Sequence, residues 1–140
     1  MTTEISVNSE ENSALVHEFV ITDNLRKVVT RSLDEISASK TLLQRLYAAA
    51  TYVILSEVCA DIYALRREMS RRKLRIVSEE AAQGTLIVRY TVRNSAGIDE
   101  EKTELQREEL RREIGLRLAR RMKAMEMRVS KAEKENATQP

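Results

Sequence analysis

From Thr22 onward the apolar positions recur at helical spacing. Leu25, Val28, Val29, Leu33 and Ile36 fall at steps of three, one, four and three, which is one helical face. Thr22 or Asp23 can cap that helix, which the pattern ends near residues 37–39. Thr41 with Gln44 three residues on has the form of a capping box, and it predicts the longest helix, roughly 41–72. The first half of this helix, Leu42 to Leu55, is apolar on nearly every side, so it should be buried all round or lie in an interface. Its second half carries a seam, Leu55, Val58, Ile62, Leu65 and Met69, at alternating steps of three and four. The period then changes. Leu74–Val77 and Thr85–Arg93 alternate with period two around a polar stretch, Ser78 to Gly84, and predict an antiparallel hairpin. Asp99 is read as the cap of a last helix reaching about Met125, with Leu110, Ile114, Leu118, Met122 and Met125 on its apolar face.

These elements predict an α+β domain that is mainly helical, with three main helices and a two-stranded antiparallel hairpin in the order α-α-β-β-α. The folded domain is expected over residues 22–125. Residues 1–21 are expected to form an acidic, largely flexible arm, within which Ser13 to Ile21 is ambiguous between strand and helix. Residues 126–140 are expected to be a flexible polar tail. A lone hairpin is marginal in water, so its Leu86, Val88, Tyr90 and Val92 face must pack on helices.

Composition narrows the function classes. Three Gly, one Pro and no Trp in 140 residues suit a helix-rich chain and argue against a sandwich or barrel. One cysteine, Cys59, excludes an internal disulfide, and with the single His17 it excludes a thiolate or imidazole zinc site within one chain. Cys59 borders the apolar seam and is expected to be a buried, inert thiol. No secretory signal is visible at the N-terminus, and the most apolar stretch, Leu46–Leu55, is shorter than the ~20 residues a bilayer requires. The expectation is a cytoplasmic protein with no membrane contact.

Charge is unevenly placed. The formal net charge is +2, yet residues 1–23 carry −5 from Glu4, Glu10, Glu11, Glu18 and Asp23, and the rest of the chain carries +7. The densest run is Arg66, Arg67, Glu68, Met69, Ser70, Arg71, Arg72, Lys73, Leu74 and Arg75, at +5. A helix C-terminus favours cations in any case. With Arg89 and Arg93 on the hairpin, the residues Arg66, Arg67, Arg71, Arg72, Lys73 and Arg75 are the candidate anion or nucleic-acid patch. An acidic partner, including the chain's own acidic arm, is the other reading of that run. A candidate self-association face comprises Tyr47, Ala50, Ile54, Leu55, Val58 and Ile62, because the apolar stripe is wider than two neighbouring elements need.

Catalysis has little support. No carboxylate pair sits in an apolar setting, no glycine-rich loop cradles phosphate, and His17 has no evident partner. No catalytic residue, metal, cofactor or small-molecule substrate is expected. The favoured class is a non-enzymatic protein-interaction or regulatory module, with homodimerisation through the long helix. The alternative is a nucleic-acid-binding regulator that uses the basic helix end and hairpin.

Leu33-Asp34-Glu35-Ile36, the stretch from Leu65 to Val77, Arg89-Tyr90 and the segment Glu109–Leu118 together carry a family resemblance. Over about residues 25–122 the chain resembles the YhjD-like group, small uncharacterised proteins of endospore-forming Firmicutes. It departs from the group in lacking an Arg-Gly-Tyr after the second strand. The resemblance implies a bacterial cytosolic protein and no particular activity.

Overall fold

The computed structural model describes residues 2–38 and 41–137. Its elements run α1 (Thr2–Ser37), α2 (Leu42–Arg71), β1 (Leu74–Ala82), β2 (Thr85–Asn94), β3 (Gly97–Gln106) and α3 (Arg107–Ala137). The chain is mainly helical α+β with three helices. Its sheet has three strands rather than two, in the antiparallel order β1-β2-β3. The element order is therefore α-α-β-β-β-α.

The first correction concerns the acidic N-terminal segment, which is helical from Thr2 rather than an arm; Met1 lies outside the described residues. Val16 and Val20 are fully buried, and Leu25 and Val29 continue the same face at steps of five and four. Thr22 and Asp23 therefore sit mid-helix and cap nothing. The Thr22 hydroxyl instead donates to the Glu18 carbonyl one turn back, at 2.7 Å. Sequence spacing alone left Ser13–Ile21 ambiguous because the surface that buries it comes from the sheet, far along the chain.

α2 begins where the capping signal placed it. The Thr41 hydroxyl accepts the Gln44 N–H at 3.3 Å. Of its apolar residues, Ile54, Val58, Ile62 and Met69 are buried. α1 and α2 form an antiparallel pair closed by the short connection after Ser37.

The sheet also differs from expectation. Ser78 to Ala82 continues β1 instead of forming a loop. Ile76 pairs with Tyr90 and Ser78 with Arg89, so Val77 is an extra residue in a β-bulge. The bulge breaks the period-two pattern at the point where the strand seemed to end. The hairpin closes tightly at Gln83 (φ 50°) and Gly84 (φ 77°), and two consecutive left-handed residues match strand twist. Residues 97–106 form β3, not the first turns of a helix. Only Thr103 and Leu105 are buried there, while Asp99, Glu100 and Glu104 are exposed on an edge strand. Charged side chains on an edge discourage pairing with another chain. The Arg107 N–H donates to the Gly84 carbonyl at 2.9 Å, which ties the start of α3 to the β1–β2 turn.

Two apolar clusters hold the elements together. Val16, Val20, Ile21, Met69, Leu74, Val88, Tyr90, Leu105 and Leu110 join α1 and the ends of α2 and α3 to the inner sheet face. Leu25, Val29, Ile54, Val58 and Ile62 join α1 to α2, with Leu118 and Met125 of α3 alongside. Phe19 and Ile114 pack against both clusters. The expected flexible tail continues α3 as helix to Ala137, and residues 138–140 lie outside the described part.

Candidate functional site

The basic run divides into groups that point different ways. Glu68 accepts from Arg71 at 2.6 Å and 3.0 Å and from Arg72 at 3.0 Å. Those guanidinium hydrogen bonds hold the Glu68 carboxyl down at about 2. Arg72 also reaches Glu11 of the acidic N-terminal segment at 3.1 Å and the buried Asn12 at 3.4 Å. Part of the run thus meets the chain's own acidic helix. Arg66 lies over the Phe19 ring and Arg67 over the Tyr63 ring, at 5.8 and 5.9 Å. Each of these four arginines thus has a partner on α1 or α2, and of the four Arg72 also borders the sheet beside Val92 and Asn94.

The remaining basic residues do share a surface. Arg75 pairs across the ladder with Thr91, and Arg89 pairs with Lys102. Thr91 lies between Arg89 and Arg93 in β2, so all of these side chains project from the outer sheet face. Lys73, at the end of α2, opens onto the same place. Arg75, Arg93, Lys73, Thr91, Leu74 and Ile98 line a depression of about 440 Å³. None of Lys73, Arg75, Arg89, Arg93 and Lys102 makes an ion pair with any described residue. Acidic groups on that face are Glu100 beside Thr91, and Glu80 and Glu104 at the far end. Lys102 was missed as a member of the patch because β3 was read as helix.

The candidate self-association face is divided as well. Ile54, Val58 and Ile62 are buried against α1 within the chain, and Leu55 is half-buried beside them. They are unavailable to a second copy. Tyr47, Ala50 and Ile54 form one wall of an apolar groove of about 520 Å³ between the three helices, opposite Val29, Leu118, Met122 and Met125. The first half of α2 is not buried all round. Leu42, Leu46 and Val53 are 76%, 61% and 43% exposed. Together with exposed Ala49, Ser56 and Ala60 they step by four, three, four, three and four along the side facing away from α1. Cys59 is exposed rather than buried, because the buried line runs through Val58. α2 as a whole is long and apolar enough to cross a membrane by length and composition, and most of its apolar window is unburied. That reverses the argument from Leu46–Leu55 alone. However, Glu57 and Asp61 on the same helix are ion-paired to Arg121, and Glu57 also to Arg128, at 3.1 Å in the latter case.

His17 does have partners. It hydrogen-bonds the Thr103 hydroxyl, which also meets Ser13 at 3.0 Å. Beside them the Tyr90 hydroxyl donates to Glu101 at 2.9 Å, and Ser9 donates to the same oxygen at 3.5 Å. Burial lowers the His17 pKa, and nearby Glu109 opposes that only in part. Burial and Glu101 push the Tyr90 phenol up to about 12. This polar seam seats α1 on β3, and neither the apolar groove nor the depression on the outer sheet face is lined by His17 or Thr103. Among the described residues no group of three or more His, Cys, Asp or Glu could hold a metal.

The sequence pattern of one family, described as YhjD protein, matches residues 7–126. No curated protein and no solved structure matches the chain.

Proposed function

The chain belongs to the YhjD family, and we propose that it is a non-enzymatic interaction module that works as a homodimer through α2. The observation that carries this reading is the outward seam Leu42, Leu46, Ala49, Val53, Ser56 and Ala60, left in solvent while the opposite seam of the same helix fills the core. Alternating steps of four and three are the repeat that knobs-into-holes packing requires of both partners. A second copy brings that repeat automatically, and a two-fold pairing satisfies both seams at once. The small residues at 49, 56 and 60 allow close approach of the two helices, over a length of about 27 Å. The charge pattern disfavours a bilayer as the occupant. Crossing it would carry Glu57 and Asp61 out of water and away from their arginines, which is costly.

Sedimentation equilibrium of the full chain tests this. The expected mass is twice 16.1 kDa at micromolar concentration, falling to 16.1 kDa for Val53→Glu. A wild-type chain that stays at 16.1 kDa throughout overturns the reading. So does co-sedimentation with phospholipid vesicles that Val53→Glu abolishes, since the seam then faces lipid.

A second reading, nucleic-acid binding in the cytoplasm, is favoured by Arg75, Arg89, Arg93 and Lys102 on the outer sheet face, which have no ion-pair partner among the described residues, with Lys73 beside them. It expects oligonucleotide affinity to fall with salt at a log–log slope of about −0.7 per phosphate contacted on single strands. Absence of binding to DNA and RNA at low salt removes it.

A further inference from the structure

We propose that the depression between the end of α2 and the outer sheet face is a phosphate-binding site, with Lys73, Arg75 and Arg93 as its cationic ligands and the Thr91 hydroxyl as a further donor. Three observations converge on it. Arg75 stands across the ladder from Thr91, and Arg93 is two residues farther along the same face. Diagonal neighbours in antiparallel strands lie about 7–8 Å apart at their backbones, so two long guanidinium side chains can close on one anion. Neither has an anionic partner among the described residues, although Glu100 is on the adjacent strand.

The second observation is the backbone of Lys73. It holds φ 59°, in the left-handed region, at the position after a helix where glycine is usual. Its N–H donates to the Ser70 carbonyl at 3.0 Å, and its carbonyl accepts the Arg93 N–H at 3.1 Å. A cationic side chain is thus kept at a site whose backbone favours glycine, and it is locked to the strand that carries Arg93. The third observation is Arg89 directly opposite Lys102, farther along the same face. Like charges in that relation repel, and an anion on this face relieves the repulsion.

The depression is shallow, and exposed Ile98 stands beside its cations. That suits a phosphate ester whose organic part lies against Ile98. Planar guanidinium groups bind phosphate through paired N–H donors, which chloride cannot match. The shared chemistry is the phosphoryl group, and its source is either a small phosphate ester or a nucleic-acid backbone. The proposal deepens the nucleic-acid reading and is independent of dimerisation.

The test is an amide NMR titration of the full chain with inorganic phosphate, a nucleoside monophosphate and a single-stranded oligonucleotide, each against chloride at matched ionic strength. The expected result is saturable shifts at residues 73–75 and 91–93. Arg75→Gln and Arg93→Gln should each weaken binding about tenfold, the loss of one charge-assisted contact. Both side chains are exposed, so the variants keep the core, and Arg67→Gln, stacked on Tyr63, should bind normally. Shifts that chloride reproduces, or that survive both substitutions, overturn the site. So does the absence of saturable shifts with all three ligands. Binding of phosphate or the monophosphate without the oligonucleotide upholds the site and removes only the nucleic-acid reading.

Discussion

Substituting Val16 by alanine tests whether the N-terminal acidic segment belongs to the core. Val16 is fully buried, in the cluster that joins α1 to the inner sheet face. The change removes two methyl groups from a dry site. Lost transfer free energy is about 1.6 kcal/mol, at about 0.8 kcal/mol per carbon group. A residual void of about 50 Å³ adds about 1 kcal/mol at ~24 cal/mol per Å³. The expected destabilisation is therefore about 2 to 3 kcal/mol. With an unfolding entropy of about 2.1 cal/mol/K per residue, a chain of this size should lose about 7–10 °C in Tm. Val28→Ala on the same helix is the comparison, because Val28 is 37% exposed. It should cost less than about 0.5 kcal/mol. Denaturant unfolding by circular dichroism, at one fixed protein concentration, measures both. If Val16→Ala also costs less than 0.5 kcal/mol, the helix before Thr22 does not pack on the sheet and the architecture is wrong there.

Three further outcomes follow from particular contacts. Arg117 grips Glu18 at 2.5 and 2.7 Å and also reaches Glu113 at 3.4 Å, so Arg117→Gln should cost about 1–2 kcal/mol, less in high salt. Hydrogen exchange should then speed up in α3 while β2 stays protected. Folding lowers the His17 pKa below its ordinary 6.5, so the unfolded chain takes up the proton first. Stability is full above that pH and declines as pH falls through it, and His17→Gln should flatten the decline in urea titrations. Folding raises the Tyr90 pKa from 10.0 to about 12, so the contribution of Tyr90 is intact below 10 and is lost as pH climbs towards 12. Ultraviolet titration should show one phenol ionising late, and Tyr90→Phe should remove that phase.

Local signals were legible wherever a residue's neighbours in sequence are also its neighbours in space. The start of α2 at Thr41, the α2 seam through Val58, Ile62 and Met69, and the alternation of β2 are of that kind. Charged edge residues hid β3. Glu100, Glu101 and Glu104 looked like the acidic first turn of a helix, yet Thr103 and Leu105 already alternated inward. The candidate basic patch mixed residues from two faces of α2 with residues from the sheet. A contiguous run of charge has no single direction on a helix, where successive side chains are about 100° apart.

The order of amino acids by itself determined the mainly helical α+β character, the bounds of α2 (although α1, not α2, is the longest helix), the hairpin at Gly84 and the uneven charge. These depend on period, capping and turn chemistry within a few residues. Only the tertiary structure decided that the acidic N-terminal segment is helix, that Ile54, Val58 and Ile62 serve the chain's own core, and which cations stay unpaired. These outcomes depend largely on contacts between residues far apart in the chain, as in Ser13 with Thr103 or Glu18 with Arg117. A helix of uniform apolar character can bury any of its faces. Which face meets solvent is settled by where α1, the sheet and α3 come to rest against it.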